Sequence, residues 1–248
     1  MNNNFSRTEL LIGKEKLEKL KNSCVTVFGV GGVGSFVVEA LARSAIGRIV
    51  IVDHDLVSSS NINRQLIADV NSIGFPKVSV MRERINLINP ICTVHAHQVF
   101  CSKDNLNQLI PEDCDYIVDA IDTVSSKIEL VSFANKMNIP IISSMSAGNK
   151  LDPGMFEISD IYNTSVCPLS RIMRIELKKR GISSLKVIYS KEKPIKIKSP
   201  DAYENSSFLS TDQIINQSPN RKIIGSIAFV PSSAGLLIAG EVVKDLIK

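Results

Sequence analysis

A chain of 248 residues, 44% of them hydrophobic, is long enough to bury one sizeable core, and its net charge of +4 is too mild to name a partner by itself. The C-terminal stretch Ser226 to Gly240 is uncharged but holds only fifteen residues and is interrupted by Pro231. A spanning helix needs roughly 20, so no membrane is expected. The five cysteines (Cys24, Cys92, Cys101, Cys114 and Cys167) form no CxxC pair, which excludes a zinc site built from two such pairs. An odd, scattered set without a signal peptide points to reduced thiols in a cytoplasm.

Residues 1–21 read as a helical segment. Cys24 to Phe28 is a short β-branched, apolar run, the pattern of a buried strand. It leads into Gly29-Val30-Gly31-Gly32-Val33-Gly34, and Val33 to Ala45 then carries apolar residues at helical spacing. A glycine-rich turn between strand and helix brings backbone N–H groups and the positive end of a helix dipole to a phosphate. Arg48 to Asp53 reads as a second strand, and Asp53 follows Gly34 by 19 residues. That is close to the roughly 20 expected of an acid holding ribose hydroxyls. Glycines alone would fit a plain packing turn; strand, helix and acid in this order favour a nucleotide without naming it.

The next stretch argues against a hydride carrier. Asp55, Asn61, Asn63, Arg64 and Gln65 supply a carboxylate, amides and a guanidinium, and Pro76-Lys77 opens a helix expected to run to about Asn89. Lys77 opposes the dipole there, so its charge serves a ligand better than the helix. Arg64 and Lys77 together suit a triphosphate and the charge that develops on it. A strand is expected over 92–99, with His95 and His97 on one face but no third ligand. Asp115 to Asp122 reads as a strand with two acids near its carboxyl end, where open α/β sheets bind ligands. Asp122 is the better candidate for Mg²⁺ or for the nucleotide, since magnesium takes one or two carboxylates plus phosphate oxygens. Asp119 could equally cap the turn. A further strand is expected over 140–144.

Residues 171 to 198 hold ten Lys or Arg against Glu176 and Glu192, so this segment carries +8 of the net charge. Such a concentration suits RNA phosphates. A solvated helix face followed by a basic loop gives the same count. Tyr189 and Tyr203 are candidates to stack on a base. Lys193 to Arg221, rich in Ser, Pro, Asn and Lys, reads as a long mobile loop, and a buried helix is expected from about Ser232 to Ile247. Strands alternating with helices predict an α/β class, a Rossmann-like and mostly parallel sheet flanked by helices, followed by a basic C-terminal extension and a C-terminal helix.

GVGGVG, Asp53, SNINRQ, Lys77 and DAIDT together resemble the ThiF-like superfamily, the ubiquitin-activating-enzyme-like adenylating enzymes. The resemblance implies one adenylating domain over 1–248, with a nucleotide-binding core over 22–165 and the basic segment, loop and helix over 166–248. It implies ATP and Mg²⁺ held by Gly29, Gly31, Gly32, Gly34, Asp53, Asp55, Asn61, Asn63, Arg64, Gln65, Lys77 and Asp122. It also implies a homodimer in which Arg7 reaches the partner's ATP site. Ala147 to Pro153, Asp160 to Leu169 and Gly225 to Val243 resemble the branch that uses ATP to cyclise threonylcarbamoyladenosine beside the tRNA anticodon. Three rival functions are an adenylyltransferase for a ubiquitin-like or sulfur-carrier protein, an NAD-dependent oxidoreductase, and a tRNA-binding module with a dead nucleotide site. Cys167 sits where a thioester nucleophile would serve the first rival, but cyclisation within the substrate needs none, so a packed residue is expected there. The tRNAs used and any sulfur-transfer partner proteins are left open.

Overall fold

The computed structural model describes residues 4–197 and 224–248. Two short helices, α1 (Ser6–Ile12) and α2 (Lys14–Asn22), precede an alternation of β1 (Cys24–Phe28), α3 (Gly34–Arg43), β2 (Arg48–Val52), α4 (Lys77–Ile88) and β3 (Thr93–His97). The chain continues through α5 (Leu106–Leu109), β4 (Tyr116–Asp119), α6 (Val124–Met137), β5 (Ile141–Ser144) and β6 (Phe156–Asp160). It ends with α7 (Pro168–Lys179), β7 (Lys186–Ser190) and α8 (Phe229–Leu246). The strands form a seven-stranded sheet in the order β3-β2-β1-β4-β5-β7-β6, parallel except for β6 against β7. The five strands expected from the sequence are present and in parallel register.

Strand alternation explains both layers. Val25 and Val27 of β1, Ile49 and Ile51 of β2, and Tyr116 and Val118 of β4 join a core with α3, α4 and α8. Cys24, Phe28, Val50, Val52 and Ile117 face the other way and pack with α5 and α6. A third cluster joins α6, α7 and β7 through Val131, Met173, Leu177 and Val187.

At the amino ends of β4 and β7, Tyr116 donates its hydroxyl to Asp245 (2.8 Å), and Lys186 pairs with Asp245 (2.5 Å) and Glu241 (2.9 Å). This network pins the last turns of α8 to the sheet, at the end away from the glycine-rich loop.

Three expectations need correcting. β6 and β7 are strands that the sequence reading left out: the charge count over 171–198 obscured the apolar run from Val187 to Tyr189. Tyr189, offered above as a stacking residue, is 2% exposed on β7 and hydrogen-bonds Glu157 Oε2 at 3.1 Å, so it faces no base. Pro231 does not delay the last helix. α8 begins at Phe229 and takes Pro231 into its first turn, where a missing N–H removes no intrahelical bond. Tyr203 and most of the 193–221 loop fall outside the described residues. Among the described residues, no helix is long and apolar enough to cross a membrane.

Candidate active site

The loop after β1 and the loop after β4 flank the point where strand order reverses, the usual place for a ligand in an open parallel sheet. Gly29 leaves β1 with φ of 88°, and its N–H bonds to the Val52 carbonyl at 2.8 Å. A Cβ there would stand 2.6 Å from the Ala120 carbonyl oxygen. Gly34 is tighter still, since its Cβ would meet the Gly29 carbonyl oxygen at 1.8 Å. Two backbones thus touch where only glycine fits. The N–H groups of Gly31, Gly32 and Val33, at the start of α3, make no hydrogen bond among the described residues.

Around this open turn the structure gathers most of the sequence candidates. Asp53 is 9% exposed and accepts from the Val30 N–H (2.7 Å) and the Asp55 N–H (2.9 Å). An ionised carboxylate offers about four lone-pair sites, so hydroxyl donors can still be received. Asn61 is buried, takes the Ser58 N–H on its side-chain oxygen at 3.1 Å, and so shapes the short helical turn Ser59–Asn61. Asn63 donates to the Ser226 carbonyl (2.9 Å), which brings the chain before α8 to the same place; Pro231 then packs beside Gly32, 3.2 Å from a Cβ built there. Gln65 is 8% exposed, with its Nε2 3.8 Å from a Cβ built at Gly31 and its Oε1 unpartnered. A buried polar atom without a partner is costly in a finished core and ordinary in a binding site.

Arg64 is the most telling side chain. Its guanidinium bonds only neutral acceptors, the Ser60 carbonyl at 2.7 Å and Asn63 Oδ1 at 2.9 Å, and its Cγ lies 3.6 Å from a Cβ built at Gly32. Burial alone pulls its pKa below the usual arginine range, with no carboxylate to offset the lost hydration. A half-buried cation beside open N–H groups fits an anion. Lys77 is the first residue of α4, 5% exposed, and pairs with Asp55 at 2.7 Å. Asp55 therefore orients Lys77.

The acids after β4 divide their roles. Asp119 is fully buried and pairs with Lys127 at 3.0 Å, so it is not open to a ligand. Asp122 is exposed, touches only Thr123 Oγ1 at 3.4 Å, and has no cation partner among the described residues. A free carboxylate on the loop that packs against Gly29 suits a hard divalent cation. Asp53, His54 and Asp55 also bring ligand atoms within 4.8 Å of one another. Backbone N–H groups engage Asp53 and Lys77 engages Asp55, whereas Asp122 has neither kind of partner among the described residues. Arg7 is not part of this group: it lies exposed on α1, and no described hydrogen bond or ion pair joins it to the others. Cys167 is 3% exposed at the start of α7. Lys127 and Ser143 were missed by the sequence reading; both lie beneath the Asp122 loop.

A family model described as ThiF family matches residues 5–248. The chain belongs to the ThiF family. It is similar to the tRNA threonylcarbamoyladenosine dehydratase of Bacillus subtilis, 47% identical over 245 residues, covering 98% of this chain and 94% of the relative. The E. coli tRNA N6-threonylcarbamoyladenosine dehydratase in complex with AMP superposes with a TM-score of 0.84 at 28% identity, over 98% of this chain and 94% of that one. The same enzyme in complex with ATP matches at 29% identity, with the same TM-score and 93% of its length covered. The ThiF chain thus has the expected α/β architecture, a mostly parallel sheet with flanking helices and a C-terminal helix.

Proposed function

We propose that this ThiF-family chain is an ATP-dependent tRNA threonylcarbamoyladenosine dehydratase. The observation that carries the reading is the half-buried, carboxylate-free Arg64 beside the open N–H groups of Gly31 and Gly32, in a chain that aligns nearly end to end with such an enzyme. In this reading the N–H groups of Gly31 to Gly34 take the ATP phosphates and Asp53 takes the ribose hydroxyls. Arg64, Gln65 and Lys77 face the α-phosphate. The threonyl carboxylate of the modified adenosine attacks the α-phosphorus, and pyrophosphate leaves. The carbamoyl group of the same substituent then attacks the activated carbonyl carbon, closing a ring. AMP leaves with the former carboxylate oxygen and a proton is released, so the nucleoside loses one water. Asp122 would hold Mg²⁺, which when bound neutralises phosphate charge. Positioning and fixed charge supply most of the rate.

Two features support assembly and RNA contact. α1 buries no residue and presents Leu10 (88% exposed) and Leu11 (85% exposed) beside Arg7, a face suited to a second copy that would receive Arg7 in its ATP site. Of the ten cations over 171–198, Lys179 and Arg180 pair with Glu176, Lys186 with α8, and Lys191 with Glu157. Arg174 is engaged with Thr164. Lys198 lies outside the described residues; Arg171, Lys178, Lys193 and Lys196 stay exposed and unpaired among the described ones, and these four are the proposed phosphate contacts. A cytoplasmic location follows from the substrate.

The test is AMP formation with and without threonylcarbamoyl-modified tRNA. The modified tRNA should stimulate it, and Arg64→Ala should lower the stimulated rate by about 100-fold, the scale of removing one transition-state donor. Stimulation by a sulfur-carrier protein instead, or an Arg64→Ala enzyme with normal turnover, would overturn the reading.

A further inference from the structure

Beneath the Asp122 loop lies an ion pair with no exposed side-chain surface. Asp119, the last residue of β4, sits 3.0 Å from the Lys127 ammonium, near the start of α6. Ser143 Oγ on β5 donates to the same carboxylate oxygen at 2.5 Å. The other oxygen of Asp119 accepts from the Ile121 N–H at 3.2 Å, and Lys127 Nζ donates to the Ile121 carbonyl at 3.0 Å. Ile121 is thus gripped by its N–H from one partner and by its carbonyl from the other. It is the residue before Asp122. On the near side, Ala120 gives its N–H to the Phe28 carbonyl (2.8 Å), while its own carbonyl lies against Gly29. Asp122 has one weak side-chain contact, so its backbone sets where its carboxylate stands.

A buried ion pair is a poor device for stability alone, because lost hydration offsets much of the attraction and apolar residues of similar volume often serve as well. What this pair does that apolar residues cannot is bond both polar groups of Ile121. We infer that Asp119 and Lys127 are positioning residues: together they lock the backbone at Ile121 so that Asp122 is presented to a divalent cation on the nucleotide phosphates. Being a neutral pair, they leave the charge of Asp122 uncompensated. The inference rests on the adenylating reading of the nucleotide site and is independent of the tRNA substrate.

Calorimetric titration of ATP with Mg²⁺, and of ATP in EDTA, tests it on the wild-type protein, Lys127→Met, Asp122→Asn and the two combined. Wild type is expected to bind ATP more tightly with Mg²⁺. Lys127→Met should lose about tenfold of the Mg²⁺-dependent affinity, the lower end for groups that orient metal ligands, with ATP–EDTA binding unchanged. Asp122→Asn should show the same loss, and the combined variant should be no weaker than either, because both changes act through one carboxylate. Asp119→Leu with Lys127→Met leaves no unpaired buried charge, so it reports the same loss if Lys127→Met alone is unfolded. Unchanged Mg²⁺-dependent affinity in a folded Lys127 variant, losses that add to Asp122→Asn, or a wild type indifferent to Mg²⁺ would each overturn the inference. A wild type that binds ATP with Mg²⁺ yet leaves modified tRNA unchanged would refute the dehydratase reading and leave this one standing.

Discussion

Replacing Gly34 by alanine should damage both fold and nucleotide binding, and the geometry sets the scale. The added Cβ would stand 1.8 Å from the Gly29 carbonyl oxygen, against 3.4 Å or more for ordinary contact. The two backbones must separate by well over an ångström. Gly29 cannot retreat, because Val52 holds its N–H and the Ala120 carbonyl lies behind it. α3 cannot easily move outward either, since α8 packs on its start: a Cβ at Gly235 would already be 2.4 Å from the Val33 carbonyl oxygen. Overpacking against backbone on both sides belongs at the upper end of its range, about 3 kcal/mol. For a chain of this size that lowers Tm by roughly 6–12 °C. ATP affinity should fall at least about tenfold, or 1.4 kcal/mol, because the displaced turn carries the N–H groups proposed to face the phosphates. Gly240→Ala is the control: nothing lies within 4 Å of its Cβ and it is exposed in α8, so it should stabilise by about 0.4–1 kcal/mol. Thermal melts and ATP calorimetry on both variants decide the matter. A Gly34→Ala protein with wild-type Tm and ATP affinity would refute the reasoning.

The network at the far end of the sheet predicts an acid dependence. Burial pushes the Asp245 carboxyl up, but hydrogen bonds from Lys186, Lys248 and Tyr116 outweigh it and bring its pKa from 3.8 down to about 2. A depressed folded pKa gives stability that is present above the unfolded value and lost as pH falls from 3.8 towards 2. Asp245→Asn should therefore cost about 2 kcal/mol in urea melts between pH 5 and 7, with the difference vanishing near pH 2; a gap that persists at pH 2 would assign the loss to packing. Arg171→Ala and Lys178→Ala should each reduce the salt slope of tRNA binding by about one, as for single phosphate contacts, and a slope unchanged in both would place the RNA elsewhere.

Much of the fold over the first half of the chain was legible because its signals are short-range. The run from Cys24 through the glycines to Asp53 encodes strand, turn, helix and acid within thirty residues, and Arg64 and Lys77 follow directly. The buried pair under Asp122 was not legible. A lysine four residues into a helix reads as a surface cation, the usual fate of that residue. Its partner Asp119 is fixed across a strand–helix turn, with Ser143 supplied by another strand. The same limit hid β7: Lys186 looked like one more charge in a basic run, while its partners Glu241 and Asp245 lie more than fifty residues further on. Counting charge along a chain cannot tell Lys186, spent on a helix, from Lys178, exposed and unpaired among the described residues.

The most direct measurement is mass spectrometry of the nucleosides from threonylcarbamoyl-modified tRNA after incubation with the protein, with and without ATP and Mg²⁺. The predicted result is ATP-dependent loss of one water from the modified adenosine, with AMP formed in equal amount. A modified nucleoside that stays unchanged while the protein binds ATP would contradict the account and move the substrate to a protein C-terminus.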